Sequence, residues 1–197
     1  MLSKKRCRTT ANSLPTLTKA GDKRPIKIEP FDPDRHDRTA FFCGYERIDN
    51  YLKRSAKKHQ KGDFTRVYVA VESGNATVLG FYSVNAHSIV ASDLPPAAAR
   101  NAPRHGAAPC LYLSMIGVDR ARQGGGIGQA LMVDALRKAA HTSSVIGLKF
   151  VVLDVLEDGG PLAVERRSRF YEDLGFMKLP SRPTRMFIPL KDVRAAF

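Results

Sequence analysis

Six consecutive residues, Gln123, Gly124, Gly125, Gly126, Ile127 and Gly128, constrain what this chain can fold into more than any other feature. They stand between an apolar run that reads as a buried strand, residues 110–118, and a stretch of helical period, residues 126–141. A glycine turn at such a junction lets backbone N–H groups converge on one point, and the helix N-terminus adds partial positive charge there, so the junction can hold a phosphate. Spacing separates three phosphate motifs. A Walker loop needs a Lys-Ser or Lys-Thr pair after the glycines, where Ile127, Gly128, Gln129 and Ala130 stand. A dinucleotide fingerprint needs glycine at Gln129 or at Leu131. What remains is Gln123-x-x-Gly126-x-Gly128, while a turn that needs glycine for its geometry alone is the plain alternative.

Around this junction the pattern predicts a mixed α/β sheet with helices on its faces. Residues 26–31 read as a short strand and 32–37 as a turn. A helix from about Gly44 repeats Ile48, Tyr51, Leu52 and Ala56 on one side, with Lys53, Arg54, Lys57 and Lys58 toward the other. Residues 66–72 and 77–90 form a hairpin about the turn 73–75, and 92–109 read as a long exposed loop. The strand 110–118, the helix 126–141 and a strand over 149–156 have the order of a parallel crossover. A helix over 161–174, a strand near Met177 and a strand over 184–190 complete the sheet, giving a folded domain over 26–197 behind a basic, flexible arm over 1–25.

With 32 Lys and Arg against 19 Asp and Glu, the formal charge of +13 points to an anionic partner, nucleic acid first; the plainer reading is an anionic cofactor plus solvated surface. Cys7, Cys43 and Cys110 lie too far apart for a disulfide framework or a metal spacing, which suits a reducing cytoplasm and predicts no metal. No window approaches the apolar length of a membrane span, so no membrane partner is expected.

Gln123-x-x-Gly126-x-Gly128 resembles the acetyl-CoA loop of the GNAT superfamily of N-acetyltransferases, and Arg169-Phe170-Tyr171-Glu172-Asp173-Leu174-Gly175-Phe176 resembles that family's Phe-Tyr-Glu-x-Leu-Gly-Phe segment. The resemblance implies a splayed sheet, acetyl-CoA as cosubstrate, and backbone groups of Ile116 and Val118 on the pantetheine arm. The loop Gln123, Gly124, Gly125, Gly126, Ile127, Gly128 and Gln129 would hold the pyrophosphate. Tyr171 would be the general acid that protonates the leaving thiolate; a tyrosine packed on the sheet is its bland alternative. Met115 and Asp119 read as core and turn former, and Glu157 and Asp158 leave a general base unassigned.

Phe42-Cys43-Gly44-Tyr45-Glu46-Arg47-Ile48-Asp49-Asn50-Tyr51-Leu52, Thr65-Arg66-Val67-Tyr68-Val69-Ala70-Val71 and Leu79-Gly80-Phe81-Tyr82-Ser83 are similar to the toxin acetyltransferases of bacterial type II toxin-antitoxin modules, over about residues 28–190. That likeness implies acetylation of the α-amino group of aminoacyl-tRNA, a block of translation, a ribbon-helix-helix antitoxin and a homodimer. An amine beside an ester is weakly basic, so no strong enzymic base is required. Lys53, Arg54, Lys57, Lys58, Lys61 and Arg66 are the candidate tRNA contacts. Two departures stand out: Met115 occupies a place where the family often has arginine, and the connection from Leu156 to Tyr171 is longer than usual. A GNAT enzyme for a small amine or protein amino group, and a non-catalytic nucleic-acid-binding protein of this fold, remain the alternatives.

Overall fold

In the computed structural model, which describes residues 25–104 and 106–197, alternating apolar residues build a seven-stranded sheet. Nearly all of the expected basic arm lies outside the described residues. The strands are β1 Ile26–Pro30, β2 Arg66–Glu72, β3 Gly80–Val90, β4 Ala107–Val118, β5 Phe150–Asp154, β6 Met177–Lys178 and β7 Arg185–Pro189, in the order β1-β2-β3-β4-β5-β7-β6. Only β4 and β5 pair in parallel, joined by the helix α4 (Ile127–Thr142), as the crossover pattern predicts. Ile127, Leu131, Met132, Ala135, Leu136 and Ala139 are the buried stripe of α4.

The β4–β5 pairing ends early, and that shapes the molecule. Cys110 to Leu113 pair with Phe150 to Leu153, whereas on its other side β4 pairs with β3 as far as Val118 opposite Gly80. Among the described residues, 114–118 therefore have no strand on the β5 side. Ser114 is the extra residue of a bulge: Ser83 faces Met115 and Val84 faces Leu113, and the Ser83 and Ser114 hydroxyls lie 2.8 Å apart. A bulge bends the strand that carries it, and here β4 parts from β5 at that residue.

One face of the sheet is covered by α4, by α5 (Pro161–Glu172) and by α6 (Leu190–Ala195), a helix that the sequence pattern had not suggested. On the opposite face α1 (Glu46–Asn50), a π-helical turn Tyr51–Ser55 and α2 (Ala56–Lys61) cover Val67, Val69 and Phe81. Gly117 permits this contact, because a Cβ there would meet Ile48 Cγ2 at 2.8 Å. The expected exposed loop over 92–109 is corrected in three respects: it contains a 3-10 turn, Ala91–Asp93, and a short α3, Pro96–Ala99; its Leu94 is buried; and β4 begins at Ala107. The second hairpin strand starts at Gly80 rather than residue 77, where Thr77 makes only an isolated bridge to Asp37.

Candidate active site

The gap between β4 and β5 opens into a cleft of about 800 Å³ lined by Ile116, Val118, Gln123, Gly124, Gly126, Ile127, Gly128, Gln129 and Tyr171. The structure thus brings together every expected cofactor residue except Gly125, which is not part of the lining. Gly124 (φ 79°) and Gly126 (φ 82°) take left-handed conformations in which a side chain is strained. Gly126 is also the residue that precedes α4. At Gly128 a Cβ would find Val118 at 3.7 Å and Phe170 at 4.0 Å, ordinary contacts, so the protein itself does not require glycine there. The Gln123 side-chain amide donates to the carbonyls of Cys43 and Val118, both at 3.0 Å, and so ties the loop to the end of β4. Asp119 is the turn former expected of it: Oδ1 accepts the Ala121 N–H and Oδ2 the Phe42 N–H, each at 3.0 Å.

Tyr171 lies on the buried side of α5, with its ring against Phe170 and Phe176. Among the described residues its hydroxyl has no hydrogen-bond partner. Burial pushes its pKa up from 10 to about 12, against a smaller opposing effect of the Arg167 charge, so the phenol keeps its proton at neutral pH. Cys43 and Cys110 are buried thiols, raised by burial to about 12 and about 11, and neither is a nucleophile at neutral pH. Met115 packs half-buried against the core beneath α1 and also lines the cleft.

Several cleft residues carried no signal in the sequence. Arg47, Arg122, the neighbours Arg166 and Arg167 of α5, and Arg182 come from four segments that meet only in three dimensions. Arg122 is paired with Glu72 at 2.9 Å. Arg167 donates through Nη1 to the Tyr45 hydroxyl at 2.8 Å and through Nη2 to the carbonyls of Leu156, at 2.6 Å, and Asp158. Asp154, just past the last β4–β5 pair, accepts both arms of Arg185 at 2.8 and 2.7 Å and the Tyr112 hydroxyl at 2.8 Å. Burial works to raise the Asp154 pKa, but these donors outweigh it and hold the carboxyl below its usual range.

None of Lys53, Arg54, Lys57, Lys58, Lys61 and Arg66 lines the cleft. Lys53 is half-buried and the others are exposed; Lys57 pairs with Asp34 at 2.9 Å and Arg66 with Asp63 at 2.8 Å. Among the described residues no group of three or more His, Cys, Asp or Glu is placed to hold a metal, and no helix is long and apolar enough to cross a membrane.

Comparison with known proteins agrees with this geometry. The family model described as "Acetyltransferase (GNAT) domain" matches residues 63–178. The chain is 47% identical over 168 residues, 85% of its length and 93% of the relative's, to "Probable toxin TacT" of Sinorhizobium fredii. It is 33% identical over 163 residues, 82% of its length and 91% of the relative's, to the "tRNA-acetylating toxin" of Mycobacterium tuberculosis. Among solved structures, AtaT complexed with acetyl-methionyl-tRNAfMet has the same fold, with a TM-score of 0.77 at 22% identity, covering 88% of this chain and 99% of AtaT. A tyrosine-to-phenylalanine mutant of KacT gives 0.79 at 24% identity, covering 87% and 99%. The chain therefore belongs to the GNAT acetyltransferases and is a homologue of the acetyltransferase toxins.

Proposed function

We propose that this protein transfers the acetyl group of acetyl-CoA to the α-amino group of aminoacyl-tRNA in the cytoplasm, and so stops translation. The observation that carries the reading is one cleft that has an unpaired strand edge (114–118), a left-handed glycine loop at one end of that edge, and a buried, protonated Tyr171 in its lining. The residues fit the cosubstrate. The N–H and C=O of Ile116 and the N–H of Val118, which face away from β3, match the amides of the pantetheine arm, and the turn 124–129 at the start of α4 offers N–H groups to the pyrophosphate. In the relatives, AtaT has been solved with acetyl-CoA.

Acetyl-CoA held there supplies an acetyl group activated as a thioester. Tyr171 gives its hydroxyl proton to the departing sulfur and regains a proton from the one that the attacking amine sheds, so the amine's proton ends on the thiol. The arginines at the cleft favour an amine that arrives neutral, and a neutral α-amine next to an ester needs no strong base. The same reading extends to an antitoxin partner of ribbon-helix-helix type and to a homodimer; AtaT has been solved bound to the C-terminus of its antitoxin AtaR.

The test is transfer of labelled acetyl to charged tRNA, uncharged tRNA, free amino acids and spermidine in parallel. Label confined to charged tRNA, and released from the tRNA by ester hydrolysis, is the expected result. Label on spermidine or free amino acids alone would keep the fold and move the function to small-amine acetylation.

A further inference from the structure

The sheet face that carries α1 and α2 is left open over part of its width. Along β3, Phe81 packs in the cluster beneath α1 and Ile89 packs with Leu94, while His87 between them is exposed. Strand alternation puts His87, Tyr112 of β4, Asp154 of β5 and Arg185 of β7 on that same face, because each lies two residues from a member of one apolar cluster: Ile89, Cys110, Val152 and Phe187. The His87 and Tyr112 ring centroids are 5.3 Å apart with the rings tilted by 43°, and Arg185 Cζ lies 5.8 Å from the Tyr112 centroid, so three flat groups stand in a row. Asp154 fixes two of them, accepting the Tyr112 hydroxyl and both arms of Arg185. The third, the exposed His87 imidazole, has no hydrogen-bond or ion-pair partner among the described residues.

Resting on the acetyl-transfer reading above, we infer that this row is the platform on which the base of the acceptor's terminal nucleoside stacks, with His87 as its exposed contact and Tyr112 as its side toward the cleft. Position favours that occupant. Tyr112, Ser114, Asp154 and Arg182 line the cleft, so the platform is continuous with the reaction site. The open edge of β4 runs back from Val118, at the glycine-loop end, to Ser114, and Tyr112 stands two residues further on. A group that lies beyond the acetyl end of the cosubstrate therefore meets Tyr112 rather than the loop. An aminoacyl ribose carries its base on the same sugar ring as its ester, so the base rests on a surface that adjoins the cleft. Chemistry favours the same occupant, because sheet faces that bear aromatic rings take unpaired bases by stacking, and every base has a π-face. Arg182, its side chain 55% exposed and no nearer than 3.9 Å to Asp154, adds a cation beside the platform for a phosphate of the acceptor strand.

The test compares two small acceptors, the aminoacyl ester of adenosine and the same ester of the sugar alone, with hydrogen in place of the base. Wild-type protein is expected to favour the adenosine ester in kcat/KM by at least roughly fivefold, the low end of what stacking one base on an aromatic side chain contributes. His87→Ala, at an exposed position, is expected to cut that ratio at least roughly threefold while acetyl-CoA affinity and Tm hold. His87→Phe keeps a flat ring without the imidazole N–H and is expected to retain the ratio. Tyr112→Phe gives up the hydrogen bond to Asp154 and is expected to lower Tm while retaining the ratio, which separates the fold's use of the hydroxyl from the ring's contact with the base. A wild-type ratio near one, an unmoved ratio in His87→Ala, or a His87→Phe ratio as low as that of His87→Ala overturns the platform. Protein that acetylates charged tRNA but shows such ratios overturns this inference alone, whereas wild type that acetylates neither ester nor charged tRNA overturns the acetyl-transfer reading with it.

Discussion

Gly126 and Gly128 stand two residues apart in one motif, yet their backbones ask for different things. At Gly126 the left-handed φ of 82° opens α4, and alanine there costs about 1–2 kcal/mol of stability and disturbs the N–H groups meant for the pyrophosphate. At Gly128, inside the first turn of α4, alanine has room and a better helix propensity, worth up to about 1 kcal/mol. Urea midpoints and acetyl-CoA titrations on the two alanine variants should therefore move apart, with Gly126→Ala weaker in both and Gly128→Ala neutral or better in stability. Equal losses in both would mean that glycine is needed here for close approach rather than for conformation. The motif was legible because spacing alone excludes its two rivals. What spacing could not say is that the Gln123 side chain spends its amide on the carbonyls of Cys43 and Val118; the bond to Cys43 joins residues 80 apart in sequence.

At the scale of elements, β1 shows how an edge strand is secured. Glu29 is buried, and its carboxylate takes Lys27 Nζ at 2.7 Å, Arg35 and His36 Nε2 at 2.8 Å. The His36 Nδ1 accepts the Asp32 N–H at 2.8 Å, so the ring is the neutral tautomer that donates through Nε2. Lys27 first, then His36 and Arg35, lower the Glu29 pKa from 4.5 to about 2. A depressed carboxyl stabilises the fold above its unfolded pKa and loses that contribution as pH falls from 4.5 toward 2. Glu29→Gln should accordingly lower stability at neutral pH by about 1–2 kcal/mol, with the gap to wild type closing below pH 4.5 in urea titrations. A gap that stays constant across that window would exclude a charge-based role.

The strands and the long helices were readable because their apolar periods are strong: the pattern placed β2 at 66–72, as observed, and α4 within a residue at either end. Three local features were not readable. The bulge at Ser114 shows only in the register against β3. The π-helical turn Tyr51–Ser55 inserts a step into what looks in sequence like one regular helix. In the stretch 91–107, Ala and Pro have no period, yet Leu94 fixes it to the core through tertiary contact.

Over the whole molecule, a net charge of +13 says that an anion is met but not where. The sequence pointed to the lysines and arginines of the π-helical turn and α2, and to Arg66 just after them, because they cluster in one segment. The structure assembles a second set, Arg47, Arg166, Arg167 and Arg182, from scattered positions around the cleft, and only folding brings these together. The two ends of the proposed reaction meet at Tyr171: the glycine loop and the open edge of β4 on the cofactor side, the arginines and Tyr45 on the acceptor side. The most direct measurement is therefore acetyl transfer to charged tRNA by Tyr171→Phe, with acetyl-CoA affinity titrated in parallel. The account predicts that turnover falls by about 100-fold or more, the usual contribution of a general acid, while acetyl-CoA binds within about twofold of wild type. Turnover equal to wild type would contradict it and remove Tyr171 from the chemistry.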